Sequence, residues 1–243
     1  MHEWGFGIKR PRMKSMKADE KEQQKFIEEY PEKVEVFRKK AEDNGMELKI
    51  IFTDEAGIRR DGTIHYGWYK KGCIAEVPES GGRFESRKLI GAVDPVEGKF
   101  NLKRGPKKIT TDVYASFLKD QSDFYHNYWL LVVHDGSPWH GKLCLANKLE
   151  KLGVHNIDTM FLPKYSPKMN PCEKFWNWMR ETVTHCRYYE NMDELDDSIL
   201  KFYKRAYNQR EKAKIRFKTE IPLQNTRVKA SGICDKPYGI DFA

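Results

Sequence analysis

The sequence predicts an α/β fold: a mixed sheet of three antiparallel strands followed by parallel strands, flanked by helices. Three observations carry that expectation. Residues 49–54 and 129–135 are apolar runs that each end in an acid, and each reads as a buried strand presenting a carboxylate at its C-terminal edge. Segments with apolar residues at helical spacing lie around and between them. An Asp-Gly step at Asp61-Gly62 tolerates the positive φ angles of a hairpin turn and sits among the first strands.

A chain of 243 residues is long enough for one sizeable α/β domain with extensions. A hydrophobic fraction of 39% can fill a core, while 33% charged residues and a mean hydropathy of −0.78 point to a soluble protein. The net charge of +8 favours a polyanionic partner. No apolar run approaches a membrane span, and Met1-His2-Glu3-Trp4 does not open a signal peptide. The five cysteines (73, 144, 172, 186 and 234) form no C-x-x-C pair, which argues for reduced thiols in an intracellular protein. Cys172, His185 and Cys186 lack a fourth neighbour for a zinc site.

Taken in order, residues 4–17 hold five basic residues and no acid, among them Lys9, Arg10 and Arg12. Gly and Pro make the stretch irregular, and it reads as a basic arm for a DNA groove or as a solvated linker. Residues 18–44 have helical spacing: Asp19 can cap a first helix, Pro31 opens a second, and Asn44-Gly45 ends the pair. Strands are expected at 47–54, at 64–73 across the Asp61-Gly62 turn, and at 87–94, with an extra strand near 100–102 after a turn at 95–99. A helix over 111–124 has Val113, Phe117 and Leu118 inward. A strand over 128–133 leads to Asp135. A helix over 140–152 has Leu143, Leu145, Ala146 and Leu149 on its inner side and ends at Gly153, before a last strand at 157–162. Residues 192–208 form another amphipathic helix, 212–218 are basic, and the tail beyond 221 reads as irregular.

The stretch 162–178 carries the most information. Prolines at 163, 167 and 171 forbid a regular element before Pro171. Asn170 is then a good N-cap, Pro171 falls at the first helical position and Glu173 at the third. Phe175, Trp176, Trp178 and Met179 read as core. Alone, Glu173 could merely close a capping box. Together with Asp54 and Asp135 at strand ends it makes a plausible cage for a hard divalent cation. Asn177, one turn on, faces the same way as Glu173. Glu55 alternates to the other side of its strand from Asp54, and His134 faces away from Asp135 as a core histidine.

Thr53-Asp54-Glu55-Ala56, His134-Asp135-Gly136-Ser137 with His140 following, and Leu162-Pro163 through Trp176 resemble the catalytic domain of the mariner-like superfamily of DNA transposases. The resemblance is closest to the bacterial and archaeal insertion-sequence branch, and runs from about Trp4 to about Tyr207. It implies an RNase H-like fold whose acidic triad is Asp54, Asp135 and Glu173, with 37 residues between the last two. Members of the family usually have Asn where Gly136 stands. The resemblance implies two Mg²⁺ ions per site, with Mn²⁺ able to substitute, and two-metal phosphoryl transfer: strand cleavage by water, then strand transfer by the freed 3′-OH. It implies double-stranded DNA as substrate, both transposon ends and target, and a homodimer on that DNA. Lys9, Arg10, Arg12, His140, Lys164 and Asn177 are the candidate DNA contacts.

The resemblance implies a helix-turn-helix region upstream of such a linker, and the expectation is that this chain begins after most of it, as a truncated copy or half of a split gene would. A separate upstream recognition polypeptide is therefore an expected partner. The expected organisation is a linker arm and helical lead-in (1–45), the catalytic domain (46–190), and a C-terminal helix with a basic tail (191–243). The expected location is the prokaryotic cytoplasm, at the nucleoid, with no membrane association. The contrasting expectation is an inactive remnant that only binds DNA, its binding falling steeply with salt.

Overall fold

Both apolar runs that end in acids are strands covered on their two faces, which is why they are apolar without alternation. The computed structural model describes residues 17–66, 68–79, 85–137 and 141–223. Its elements are α1 (Glu20–Asp43), β1 (Glu47–Arg59), β2 (Ser86–Asp94), β3 (Lys99–Arg104), α2 (Thr111–Phe124), β4 (Tyr128–His134), α3 (Lys142–Lys151), β5 (Ile157–Phe161), α4 (Pro171–Val183), α5 (Met192–Tyr207) and α6 (Arg210–Arg216). Among the described residues they build a five-stranded sheet in the order β3-β2-β1-β4-β5. The β1–β2 and β2–β3 pairs are antiparallel, and β1–β4 and β4–β5 are parallel. This is the expected mixed sheet, with a different membership.

Two cores lie on the two faces of the sheet. Leu48, Ile50 and Phe52 of β1, with Leu131 and Val133 of β4, pack against residues of α1, α4, α5 and α6. Ile51 of β1, with Leu130 and Val132 of β4, packs against α2 and α3. Side chains alternate along a strand, so Asp54 belongs to the α4 face, and Thr53 and Glu55 to the α2 face. By the same alternation Asp135 follows Val133 onto the α4 face, and His134 is buried on the other.

The expected strand at 64–73 is not formed by the described residues of that segment, 64–66 and 68–73. The free edge of β1 is taken by β2, in register from Arg59↔Ser86 to Phe52↔Val93. With β2 on one side and β4 on the other, β1 has no edge left for the intervening segment, and Ile64, Tyr66, Trp68 and Ile74 are strongly exposed. β-propensity expresses a fit to a sheet surface and yields nothing without one. The Asp61-Gly62 step is correspondingly not a hairpin turn. Thr63 forms a bridge with His185, and a Cβ at Gly62 would stand 2.2 Å from the Arg187 carbonyl. The glycine serves close backbone approach.

The expected helix pair over 18–44 is one helix, α1, with Pro31 inside it. Asp19 caps it as expected, its carboxylate accepting from Lys21 and Glu22 N–H. Phe26, Tyr30, Val34 and Ala41 form one buried stripe that runs past the proline, whose own ring is exposed. Packing on both sides of Pro31 holds the helix across the missing hydrogen bond. In α3, Leu145 and Leu149 are buried as expected, but Leu143 and Ala146 are exposed. The basic stretch after α5 includes a helix, α6, anchored by buried Ala213 and Phe217. No described helix is long and apolar enough to cross a membrane.

Candidate active site

Asp54 sits where β1 outruns its parallel neighbour: the β1–β4 pairing ends at Phe52↔Val133. Beyond that point the start of α4 takes over as partner of β1. Cys172 Sγ donates to the Phe52 carbonyl at 3.1 Å, Asn170 Nδ2 to the Thr53 carbonyl at 3.5 Å, and Trp176 Nε1 to Asp54 Oδ2 at 3.1 Å. Three successive β1 residues are thus latched by one helix start. That helix begins as expected, with Asn170 capping the Cys172 N–H and Pro171 at its first position. The Asn170 N–H, which a reciprocal capping glutamate would bind, donates instead to the Pro167 carbonyl.

Asp54, Asp135 and Glu173 line one cavity of about 440 Å³, together with Gly136, Ser137, Lys164, Tyr165 and Asn170. Asp54 and Glu173 are half-buried and Asp135 is exposed. Asp135 is oriented by its own loop, its Oδ1 accepting from the Ser137 N–H at 3.1 Å. A side chain at Gly136 would meet only open space. Burial, then the charges of Glu173, Glu55 and Asp135, push the Asp54 carboxyl up to about 7. Burial also raises Glu173; Arg180 opposes that shift and Asp135 adds to it. The acids are therefore near enough to repel one another. Among the described residues, however, no group of three or more His, Cys, Asp or Glu side chains stands in a geometry that could hold a metal ion. The carboxylates share a cavity without forming a closed cage.

Lys164 lines the cavity, exposed. Asn177 is exposed on α4, accepts from Arg180 at 3.2 Å, and lies outside the cavity lining. Lys9, Arg10, Arg12 and His140 lie outside the described residues. His134 is fully buried, its ring edge-on to Phe161 at 4.5 Å.

Several features escaped sequence reasoning. Arg180 reaches Glu173 electrostatically; its place two helical turns on was the available signal. Trp176 is core, as its pattern predicts, but nothing in the pattern names Asp54 as the acceptor of its N–H. Tyr165 has a φ of 56° with half its surface exposed, and Lys17 stands 5.9 Å from its ring centre. A bulky residue in that left-handed region is strained, and such strain collects at functional sites. No sequence pattern announces it.

A sheet of this order, with acids gathered where β1, β4 and the start of α4 meet, defines the RNase H-like class. The chain belongs to the DDE superfamily endonucleases, whose family model matches residues 49–196. Similar solved structures include the pre-cleavage Mos1 transpososome (14% identity, TM-score 0.59) and the Mos1 mariner paired-end complex with Mn (15%, 0.57). Each match covers 89% of this chain and 66% of the other, so the chain spans just under two thirds of those transposases. The isolated catalytic domain of Mos1 mariner transposase matches over 85% of this chain and 94% of its own length, at 12% identity and a TM-score of 0.50. At these identities the likeness establishes the fold. No curated protein sequence is matched by the chain.

Proposed function

We propose that this chain is the catalytic part of a DNA transposase of the insertion-sequence branch, cutting and joining DNA strands at Asp54, Asp135 and Glu173. The observation that carries the reading is the shared cavity: three acids far apart in sequence, from β1, the β4 exit and the α4 start, line one space. Membership of the DDE endonuclease family supports it.

The donor set suits a hard divalent cation in its chemistry, and the three side chains would draw together from where they stand to ligate one. The set is all carboxylate oxygen, and like-charge repulsion among the three acids is what such an ion relieves. Asp54, Asp135 and Glu173 would hold Mg²⁺ or Mn²⁺, two ions per site; Mos1 complexes bearing Mn and Mg exist. When bound, the ions would activate a water or a DNA 3′-OH and stabilise the leaving oxygen. The chain supplies the rest. The latched α4 start fixes Glu173 against Asp54, and the Ser137 N–H orients Asp135. Lys164 offers a cation to a DNA phosphate beside the acids. In this reading Lys9, Arg10 and Arg12 follow the DNA backbone, His140 and Asn177 touch DNA near the cut, and two copies act on paired ends. Residues 46–190 are the catalytic unit in this reading.

The test is nicking of a labelled duplex carrying candidate element ends, with Mn²⁺ or Mg²⁺ against EDTA. Metal-dependent nicking, lost in Asp135→Asn and Glu173→Gln while DNA binding persists, is the expected outcome. A folded protein that binds DNA but neither nicks it nor binds Mn²⁺ would make the chain an inactive remnant.

A further inference from the structure

The geometry points to Trp176 as a positioning residue that sets how Asp54 faces a divalent cation, with Gly91 as the slot that admits it. The inference rests on the metal-dependent reading above. Asp54 and Gly91 are direct cross-strand partners in the β1–β2 register, so they stand side by side on one face of the sheet. Gly91 places no side chain there. A Cβ at that position would lie 2.7 Å and 2.8 Å from two carbons of the Trp176 six-membered ring. The ring therefore occupies the space next to Asp54 that any other residue at 91 would fill.

Trp176 is 1% exposed, so packing fixes its ring. Its one polar atom, Nε1, can only donate, and it donates to Asp54 Oδ2. A buried indole N–H needs some acceptor, and a carbonyl would serve that need equally. Here the acceptor is the candidate ligand itself. Trp176 also lies one turn beyond Glu173, on the helix whose start is latched to Phe52 and Thr53. One helix thus carries one candidate ligand and the donor that holds another. Partners of this kind orient metal ligands, and losing one typically costs ~10–100-fold in metal affinity.

The experiment is Mn²⁺ titration by calorimetry, alongside thermal unfolding in EDTA. Two variants are compared with the parent: Trp176→Phe, and Trp176 replaced by benzothienylalanine, which keeps the bicyclic shape and removes the N–H. The second variant retains the packing should the first fail to fold. The expected result is Mn²⁺ affinity weakened by roughly 10-fold or more in the isostere, with little change in unfolding temperature. In an Asp54→Ala background, where the N–H has no acceptor at position 54, the same replacement should add no further loss. If the parent binds Mn²⁺ and the folded isostere binds it equally well, the role of Trp176 is overturned while the metal site stands. If the parent binds no Mn²⁺, the metal-dependent reading falls and this inference with it.

Discussion

At the scale of single residues, Asp54 carries a cost of its own in the cavity. Burial first, then Glu173, Glu55 and Asp135, hold its carboxyl at a pKa of about 7. An unfolded aspartate titrates at about 3.9. Between those values the folded protein keeps a proton that the unfolded chain has lost, so stability falls as pH rises through that window. Asp54→Asn removes the charge and leaves a carbonyl able to accept from Trp176. Its melting temperature without metal should exceed the parent's by a few degrees at about pH 8, and by little at about pH 4. Equal differences at both pH values would show that the Asp54 charge is not the cause. Sites that gather like charge commonly trade stability for chemistry in this way.

At the scale of elements, α1 and α4 show opposite relations between local pattern and packing. In α4 the local signals agree with the fold: an Asn cap, a first-position proline, and an apolar face of Phe175, Trp176 and Met179. The cap has a second task, since Asn170 also reaches the Thr53 carbonyl. Asn170→Ala should cost ~1–2 kcal/mol by urea unfolding and should weaken Mn²⁺ binding as the α4 start slackens. In α1 packing overrides a local stop signal. Pro31 sits mid-helix between buried Tyr30 and Val34, with its ring in solvent. Pro31→Ala should therefore stabilise by ~1–2 kcal/mol, the regained helical bond outweighing the extra freedom of the unfolded chain. A higher urea midpoint at unchanged slope would show it, and a lower one would mean the proline is required.

At the scale of the molecule, the sheet has two differently built ends. The acids gather where β1 outruns β4. At the start of β1, buried Lys49 pairs with Asp94 at 3.0 Å and with Glu97, and stands 4.8 Å from the Tyr128 ring centre. Lys99 joins Glu97 at 2.7 Å. This network ties β1, the β2–β3 turn and the approach to β4. It lies roughly 16 Å along β1 from Asp54, at about 3.3 Å per residue. Lys49→Met leaves buried Asp94 and half-buried Glu97 short of a partner and should cost ~3 kcal/mol in urea unfolding, while the folded fraction binds Mn²⁺ like the parent. Altered Mn²⁺ affinity would show that the two ends of the sheet are coupled.

Local sequence pattern specifies the element types along most of the chain and picks out the three acids that line the cavity. Those properties are local: buried strands read as apolar runs, helices as spaced ones, and a proline after a capping Asn favours a helix start. Tertiary structure alone decided which segment took the free edge of β1, because 64–73 and 86–94 both suit a strand and only one edge existed. It alone kept α1 whole across Pro31, and it alone set Gly91, Trp176 and Asp54 side by side from three separate elements. Strand partners, close approach and the raised carboxyl of Asp54 depend on residues distant in the chain, and no window of sequence contains them.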